Sequence, residues 1–417
     1  MIKYELIKVV KSPIFIILLL FFVALNGLII FDHKNERENL PVLQNIVEQY
    51  GTKIDDEALA GMKKEIDHEM VWVNELNPKS GKQYQFPYEF IKGHEAFLYQ
   101  HLTDRELNRL FNLNLFTQYY ETAKSVDDIY SELDATEFAR QQIKKYGLSG
   151  EAEETVLNQA NLLEKRLQQL VKNGEHRHFF YLGSVYEMHS LLFKKLGRAI
   201  AFEGMILVVL ITALLTNYEF EHRTFFVAFT SKRGRNLLWD KLAASVIANV
   251  CAVMLLIAAT LIIYFSVYDY SNLLFVPISS YFNSETPFPY ISWWNLSFLQ
   301  YVCLFVGCLL LSQLLYMLLT FSLSIWLKNS YLVFFTFALF AGVSLWLPSV
   351  VSLNSKFILI MHVNPFYLIM NPHVWFMGNN IFTMFPYFEA VTIAAWAVIF
   401  VLLGFFSMYK FKRQPLN

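Results

Sequence analysis

Six stretches of near-continuous apolar sequence divide this chain, and polar stretches of very unequal length separate them. The apolar runs cover residues 14–31, 198–216, 242–266, 296–327, 331–350 and 389–408. A helix crosses the hydrocarbon core with about 20 mainly apolar residues, so each run predicts one transmembrane helix. Ahead of the first run, residues 1–12 place Ile2, Leu6, Val9 and Val10 on one helical face and turn Lys3, Lys8 and Lys11 elsewhere. That pattern predicts an amphipathic helix lying on a membrane surface. Pro13 then opens the first span. A basic start and an apolar run also describe a signal peptide. Asp32-His33-Lys34-Asn35-Glu36 follows the run instead of a small-x-small cleavage site, so an uncleaved anchor is expected.

The longest polar stretch, residues 32–197, has the size of one domain. Its periodicity predicts mostly helix. Residues 54–70 form one candidate. Thr103-Asp104-Arg105-Glu106 reads as a capping box that opens a second. Residues 151–173 form the clearest, with Val156, Leu163, Leu167 and Leu170 as its apolar stripe and Gly174 as its C-cap. Residues 79–82 and 147–150 read as loops. Residues 179–197 are aromatic and amphipathic, which predicts a surface-lying segment leading into the second span. Residues 357–388 hold no Lys, Arg, Asp or Glu, yet Pro365, Pro372, Pro386 and Gly378 interrupt them. Segment 352–388 is therefore expected as short re-entrant or interfacial helices packed on protein.

Charge sets the expected topology. Only 17% of the 417 residues are charged, against roughly 25% in soluble domains, and 55% are hydrophobic. Residues 32–197 carry 27 Asp/Glu and 20 Lys/Arg, while the remainder carries 8 acids and 14 bases. Basic residues collect in loop 217–241 and in the tail at Lys410, Lys412 and Arg413. Loops rich in Lys and Arg stay on the cytoplasmic side. The expectation is an α-helical membrane protein of the plasma membrane, with six transmembrane helices, both termini cytoplasmic and a mainly helical extracellular domain. Its parts are a surface helix (1–12), the first span (13–31), the extracellular domain (32–197), a transmembrane domain (198–408) and a cytoplasmic tail (409–417). Cys251, Cys303 and Cys308 all fall in apolar runs, so the extracellular domain must be held by packing alone.

Candidate chemistry is sparse. The chain has no phosphate-binding G-x-x-x-x-G-K-[ST] and no H-E-x-x-H, and no nucleophile–base set can be argued from spacing. His176, His178 and His189 match no standard zinc spacing. Catalytic and metal residues are thus expected to be absent, as is a nucleic-acid partner. Ionisable groups within spans are costly and mark pathways. Glu203, about a turn inside the second span, and Glu389, opening the sixth, are therefore substrate-path candidates. Asn249 and Gln313 are further candidates, although such residues also glue helices together.

Loop 217–241 carries the one motif. Glu219-Phe220-Glu221-His222-Arg223-Thr224 is followed by apolar residues 225–229, then Thr230-Ser231-Lys232-Arg233-Gly234-Arg235, then Leu237-Leu238-Trp239-Asp240-Lys241. With the six spans, the surface helix and the broken outer segment, this resembles the type-2 ABC exporter permeases. Their corresponding loop reads E-x-x-x-G-T, an apolar stretch, roughly P-x-S-R, an apolar turn and a Lys. Glu219, Thr224 and Lys241 match. Arg223 stands at the glycine, the proline is missing, and Arg233 or Arg235 takes the arginine position. The resemblance implies a permease without its own nucleotide site, coupled through Glu219, Glu221, Arg223, Thr224, Lys232, Arg233, Arg235 and Lys241 to separate ABC ATPase subunits that bind ATP and Mg. It further implies a second permease, identical or homologous. Aromatic residues at 179–186, 287–294 and 366–385 would suit an amphipathic substrate such as a peptide or antimicrobial. Two other classes fit the composition: a membrane-anchored receptor or scaffold with an extracellular ligand-binding domain, and a proton-coupled carrier.

Overall fold

The structure is a computed structural model and describes residues 1–76, 83–182, 189–230, 234–284 and 288–413. Six helices are long and apolar enough to cross a membrane: Pro13–Asp32, Ser190–Glu221, Gly234–Val267, Phe298–Leu327, Ser330–Val350 and Phe388–Arg413. No strand forms among the described residues. The chain is an α-helical, multi-pass membrane protein.

Each span starts and stops for a local reason. Ser12 precedes Pro13, whose fixed φ suits the first helical turn. Ser297 and Gln300 form a capping box at the start of the fourth span. That span ends at Lys328 in a left-handed conformation, and Asn329 accepts from the Leu332 N–H to cap the fifth. Residues 328–330 are thus a tight turn between the fourth and fifth spans. The second and third spans run further than expected, to Glu221 and from Gly234. Their charged ends, Glu219 and Lys241, pair with each other, so the helices continue where composition alone would stop them.

The second and fourth spans form the centre, and the fifth is the least buried of the six. Gly204 permits the central approach: a Cβ there would sit 3.2 Å from Gln313 Cδ. The amino-terminal helix Ile2–Val10 packs against the third span.

The long polar stretch is helical. Its main helices are Leu40–Tyr50, Asp56–Glu75, Asp104–Glu132, Ala135–Tyr146 and Gly150–Asn173. The predicted helix 54–70 begins at Asp56 because Asp55 accepts from the Ala58 N–H as its cap. The Thr103–Glu106 capping box forms, and Gly174 ends its helix in the left-handed region. Val156, Leu163, Leu167 and Leu170 are buried as one stripe. The predicted loop at residues 79–82 lies outside the described residues.

The polar stretch packs closely on the rest of the chain. Buried Arg166 grips Glu175 through two parallel bonds, Nη1–Oε1 at 2.9 Å and Nη2–Oε2 at 2.5 Å, and donates from Nε to Ser292 O at 2.9 Å. Ser149 N–H donates to Leu353 O, and Gly378 lies so close to Leu163 that a Cβ there would clash with the Leu163 side chain. Polar stretch, third-to-fourth connection and broken segment therefore make one layer across one end of the bundle. One expectation fails: the aromatic residues do not form one exposed surface. Phe179, Phe180, Tyr181, Phe288, Tyr290 and Trp293 are buried in that layer, and Phe366 is buried against the fourth and fifth spans. Phe179 and Phe180 are not helical, and Ser190–Leu196, a π-helical turn, leads directly into the second span. Residues 183–188 and 285–287 lie outside the described residues, and with them Tyr186 and Glu285.

The broken segment is as expected: Phe357–His362, Pro365–Leu368 and the short turn Pro372–Val374 replace any long helix. Proline begins two of the three.

Candidate functional site

The end of the bundle that holds both termini carries the densest polar constellation. Glu5 and Lys8 face inward from the amino-terminal helix, Glu219 comes from the end of the second span, and Lys241 from the first turns of the third. Lys8 Nζ donates to both Glu5 oxygens at 2.9 Å and to Glu219 Oε1 at 2.8 Å. Lys241 is fully buried; it pairs with Glu219, donates to Leu215 O, and lies 3.6 Å from Glu5 Oε2. Two ammonium and two carboxylate groups balance. Charges removed from water persist only when paired and hydrogen-bonded in this way. Burial draws the Lys8 pKa down, but its bonds to Glu219 and Glu5 outweigh that and hold it above the usual lysine value. The Lys8 ammonium also lies 4.2 Å from the Tyr218 ring centroid.

The rest of loop 217–241 is built outward from this clamp. Residues 217–221 complete the second span and 237–241 already belong to the third, so only the middle is a loop. Thr224 N–H donates to Glu219 O at 2.8 Å, and Arg223 turns the chain at φ 56. The short helix Phe225–Thr230 follows. Phe220 and Phe229 pack on Phe411 of the sixth span, at 6.2 and 5.1 Å between ring centroids. That docking leaves Phe226 at 49% and Val227 at 77% exposure, facing away from the bundle. Glu221 accepts from the Ser330 N–H at 2.7 Å, which ties the loop to the turn between the fourth and fifth spans. Arg235 donates to Phe411 O and Lys412 O. Lys232 and Arg233 lie outside the described residues. Of the sequence-predicted coupling residues, Glu219 and Lys241 are interior, Arg235 holds the carboxy-terminal helix, and Glu221, Arg223 and Thr224 are exposed.

The four path candidates each make a hydrogen bond within the bundle or to the broken segment. Glu203 Oε2 accepts from Asn26 Nδ2 at 2.8 Å, and Asn26 also donates to Thr260 Oγ1 at 3.1 Å, joining spans one, two and three. Glu203 lies about three and a half turns inside, deeper than expected, because its span begins at Ser190. Asn249 donates to Thr212 Oγ1 at 2.8 Å, and Gln313 donates to Ala201 O at 2.9 Å. Glu389 accepts from the N–H of Phe376, itself left-handed at φ 62. All four are buried; Asn249 and Gln313 both bond to the second span, which carries Glu203, and Glu389 bonds to the broken segment.

Sequence reasoning missed Glu5, Lys8, Asn26 and Thr260. Two signals were available. Glu5 interrupts the apolar face made by Ile2, Leu6 and Val9, and Asn26 is the one polar side chain in residues 14–31. The three histidines stay apart in function: His176 meets Asp127 at 3.0 Å, and His189 meets His373 O at 2.9 Å. No group of three His, Cys, Asp or Glu that could hold a metal exists among the described residues.

In the layer at the opposite end, a cavity of about 580 Å³ is rimmed by Glu132, Asp134 and Glu137. Phe138 forms its wall, stacked on Phe288 at 4.1 Å between centroids. Comparison with protein-family models, curated proteins and solved structures returns no match.

Proposed function

We propose that the chain is the membrane-spanning permease subunit of an ATP-driven exporter of the type-2 ABC class. Separate ATPase subunits bind ATP and Mg, and a second permease, identical or homologous, completes the path. The observation that carries this reading is the four-charge clamp joining the amino-terminal helix to the second and third spans. A push on loop 217–241 would reach both spans and the surface helix together, as a rigid-body displacement. The exposed Phe226 and Val227 give a partner an apolar handle, and Arg223 flanks it. Arg223 also holds the left-handed backbone that glycine, the family residue there, adopts freely. In this reading the clamped end, with both termini, faces the cytoplasm, and the capping layer lies outside the plasma membrane. The cavity rimmed by Glu132, Asp134 and Glu137, with its aromatic wall, favours an amphipathic substrate carrying positive charge, such as a cationic peptide.

The test is co-purification in mild detergent from the native cell. A P-loop ATPase should accompany the wild-type chain in stoichiometric amount and should be lost from the Phe226→Glu/Val227→Glu variant, while that variant remains inserted. An ATPase that stays with the variant would overturn this use of the loop. A wild-type chain isolated without one would overturn the class and favour a receptor.

A further inference from the structure

A cavity of about 790 Å³ opens where the first and third spans emerge into the polar layer. It is lined by five carboxamide side chains: Asn39, Gln44, Asn45, Asn108 and Asn112. We propose that this cleft binds a saccharide.

The argument begins with the spacing. Asn108, Phe111 and Asn112 stand three and four apart on helix Asp104–Glu132, so they share one face. Asn39 precedes the first turn of Leu40–Tyr50 and Asn45 lies in its second turn, on the opposite wall. Asn39, Asn45, Asn108 and Asn112 spend none of their side-chain hydrogen bonds on the described residues. Gln44 is different: it donates to Asp269 O at 3.0 Å and accepts from Asn272 Nδ2 at 2.8 Å, which fixes that wall.

A carboxamide donates and accepts from one planar group. A sugar hydroxyl does both as well, so a group of amides matches a polyol better than it matches a phosphate or a hydrocarbon. Arg37 adds donors to the rim, and the Asp269 carboxylate adds acceptor capacity beyond its bond to the Ser271 N–H. Among the described residues one base and one acid line the cleft, and their charges balance. Phe111, at 39% exposure, supplies the flat apolar face against which the C–H side of a sugar ring packs. The volume falls within the range of small-molecule sites and holds two or three sugar rings.

Val267, the last residue of the third span, also lines the cleft. It therefore opens at the level where a lipid headgroup would stand, and the saccharide could be free or lipid-linked. None of this rests on the transport reading. Failure of ATPase co-purification leaves it untouched.

The experiment uses the full chain in phospholipid nanodiscs. One arm adds maltotriose or chitotriose in solution and reads saturation-transfer NMR. The other builds diglucosyl diacylglycerol into the nanodisc and counts retained lipid by native mass spectrometry. The expected result is binding in at least one arm, weakened about tenfold in Asn108→Ala/Asn112→Ala, as the loss of two hydrogen bonds implies. Phe111→Ala should weaken it similarly. All three positions are surface sites on a helix, so the variants should melt as wild type does. Binding in the first arm assigns a free glycan, and binding in the second alone assigns a glycolipid headgroup. No binding in either arm, or binding unchanged in the double variant, overturns the proposal.

Discussion

Lys241 is the residue on which most depends. It is a fully buried ammonium, and its removal would leave the Glu219 and Glu5 carboxylates in a dry site with Lys8 as their one cation. Breaking a buried pair from one side costs about 3–5 kcal/mol, whereas replacing both partners by neutral groups is far milder. Lys241→Met should therefore lower thermal stability in detergent strongly, and Lys241→Met/Glu219→Gln should recover most of it. Equal melting temperatures for the two variants would refute the clamp. His373, outside the six spans, makes a pH prediction. Burial lowers its pKa to about 3, helped by His189, Lys194 and Arg198 nearby. Below its ordinary value near 6.5 the unfolded chain takes up a proton that the folded chain refuses. Stability is thus lost as pH falls from about 6.5 towards 3, by up to ~1.4 kcal/mol per pH unit from this group. His373→Gln should flatten the acid side of the melting curve, and an unchanged slope would count against the assignment.

At the scale of elements, the sequence was most readable where one physical term decides. Apolar runs marked all six spans, because the bilayer rewards little else. The Thr103–Glu106 box and Gly174 marked helix ends because unpaired backbone groups demand caps. What stayed hidden was pairing at long range. Lys8 meets Glu219 across 211 positions, and nothing in either neighbourhood announces the other. Arg166 and Glu175 look like ordinary surface charges, yet both are buried as a pair, and Arg166 also donates to Ser292 O in the third-to-fourth connection. Aromatic residues misled for a related reason: composition gives their number, and only packing gives the side they face. The Arg166–Glu175 pair makes its own prediction. Arg166→Met alone should cost about 3–5 kcal/mol and loosen the layer, measured as faster proteolysis of the polar stretch; Arg166→Met/Glu175→Met should recover much of that loss. Proteolysis unchanged in the single variant would mean that the layer is held elsewhere.

For the whole molecule, the clamp and the capping layer sit at opposite ends of the six spans, and this polarity decides how a signal could cross. The second span links them most directly. It begins in the π-helical turn Ser190–Leu196 beneath the layer, touches the first and third spans through Glu203 and Asn26, and ends in the clamp at Glu219. A displacement at one end therefore has a continuous helix along which to travel, with Gly204 against Gln313 as the close contact about which it would turn. The proposed function needs the clamped end on the cytoplasmic side, and that can be measured directly. The free cysteines should first be replaced by serine or alanine, and single cysteines then placed at exposed Lys3, Arg413 and Glu57. A membrane-impermeant maleimide should label the Glu57→Cys chain in intact cells and reach Lys3→Cys and Arg413→Cys only after permeabilisation. The reverse pattern would put the layer in the cytoplasm and remove the loop from the reach of an ATPase. Labelling of the two termini on different sides would break the six-span count itself.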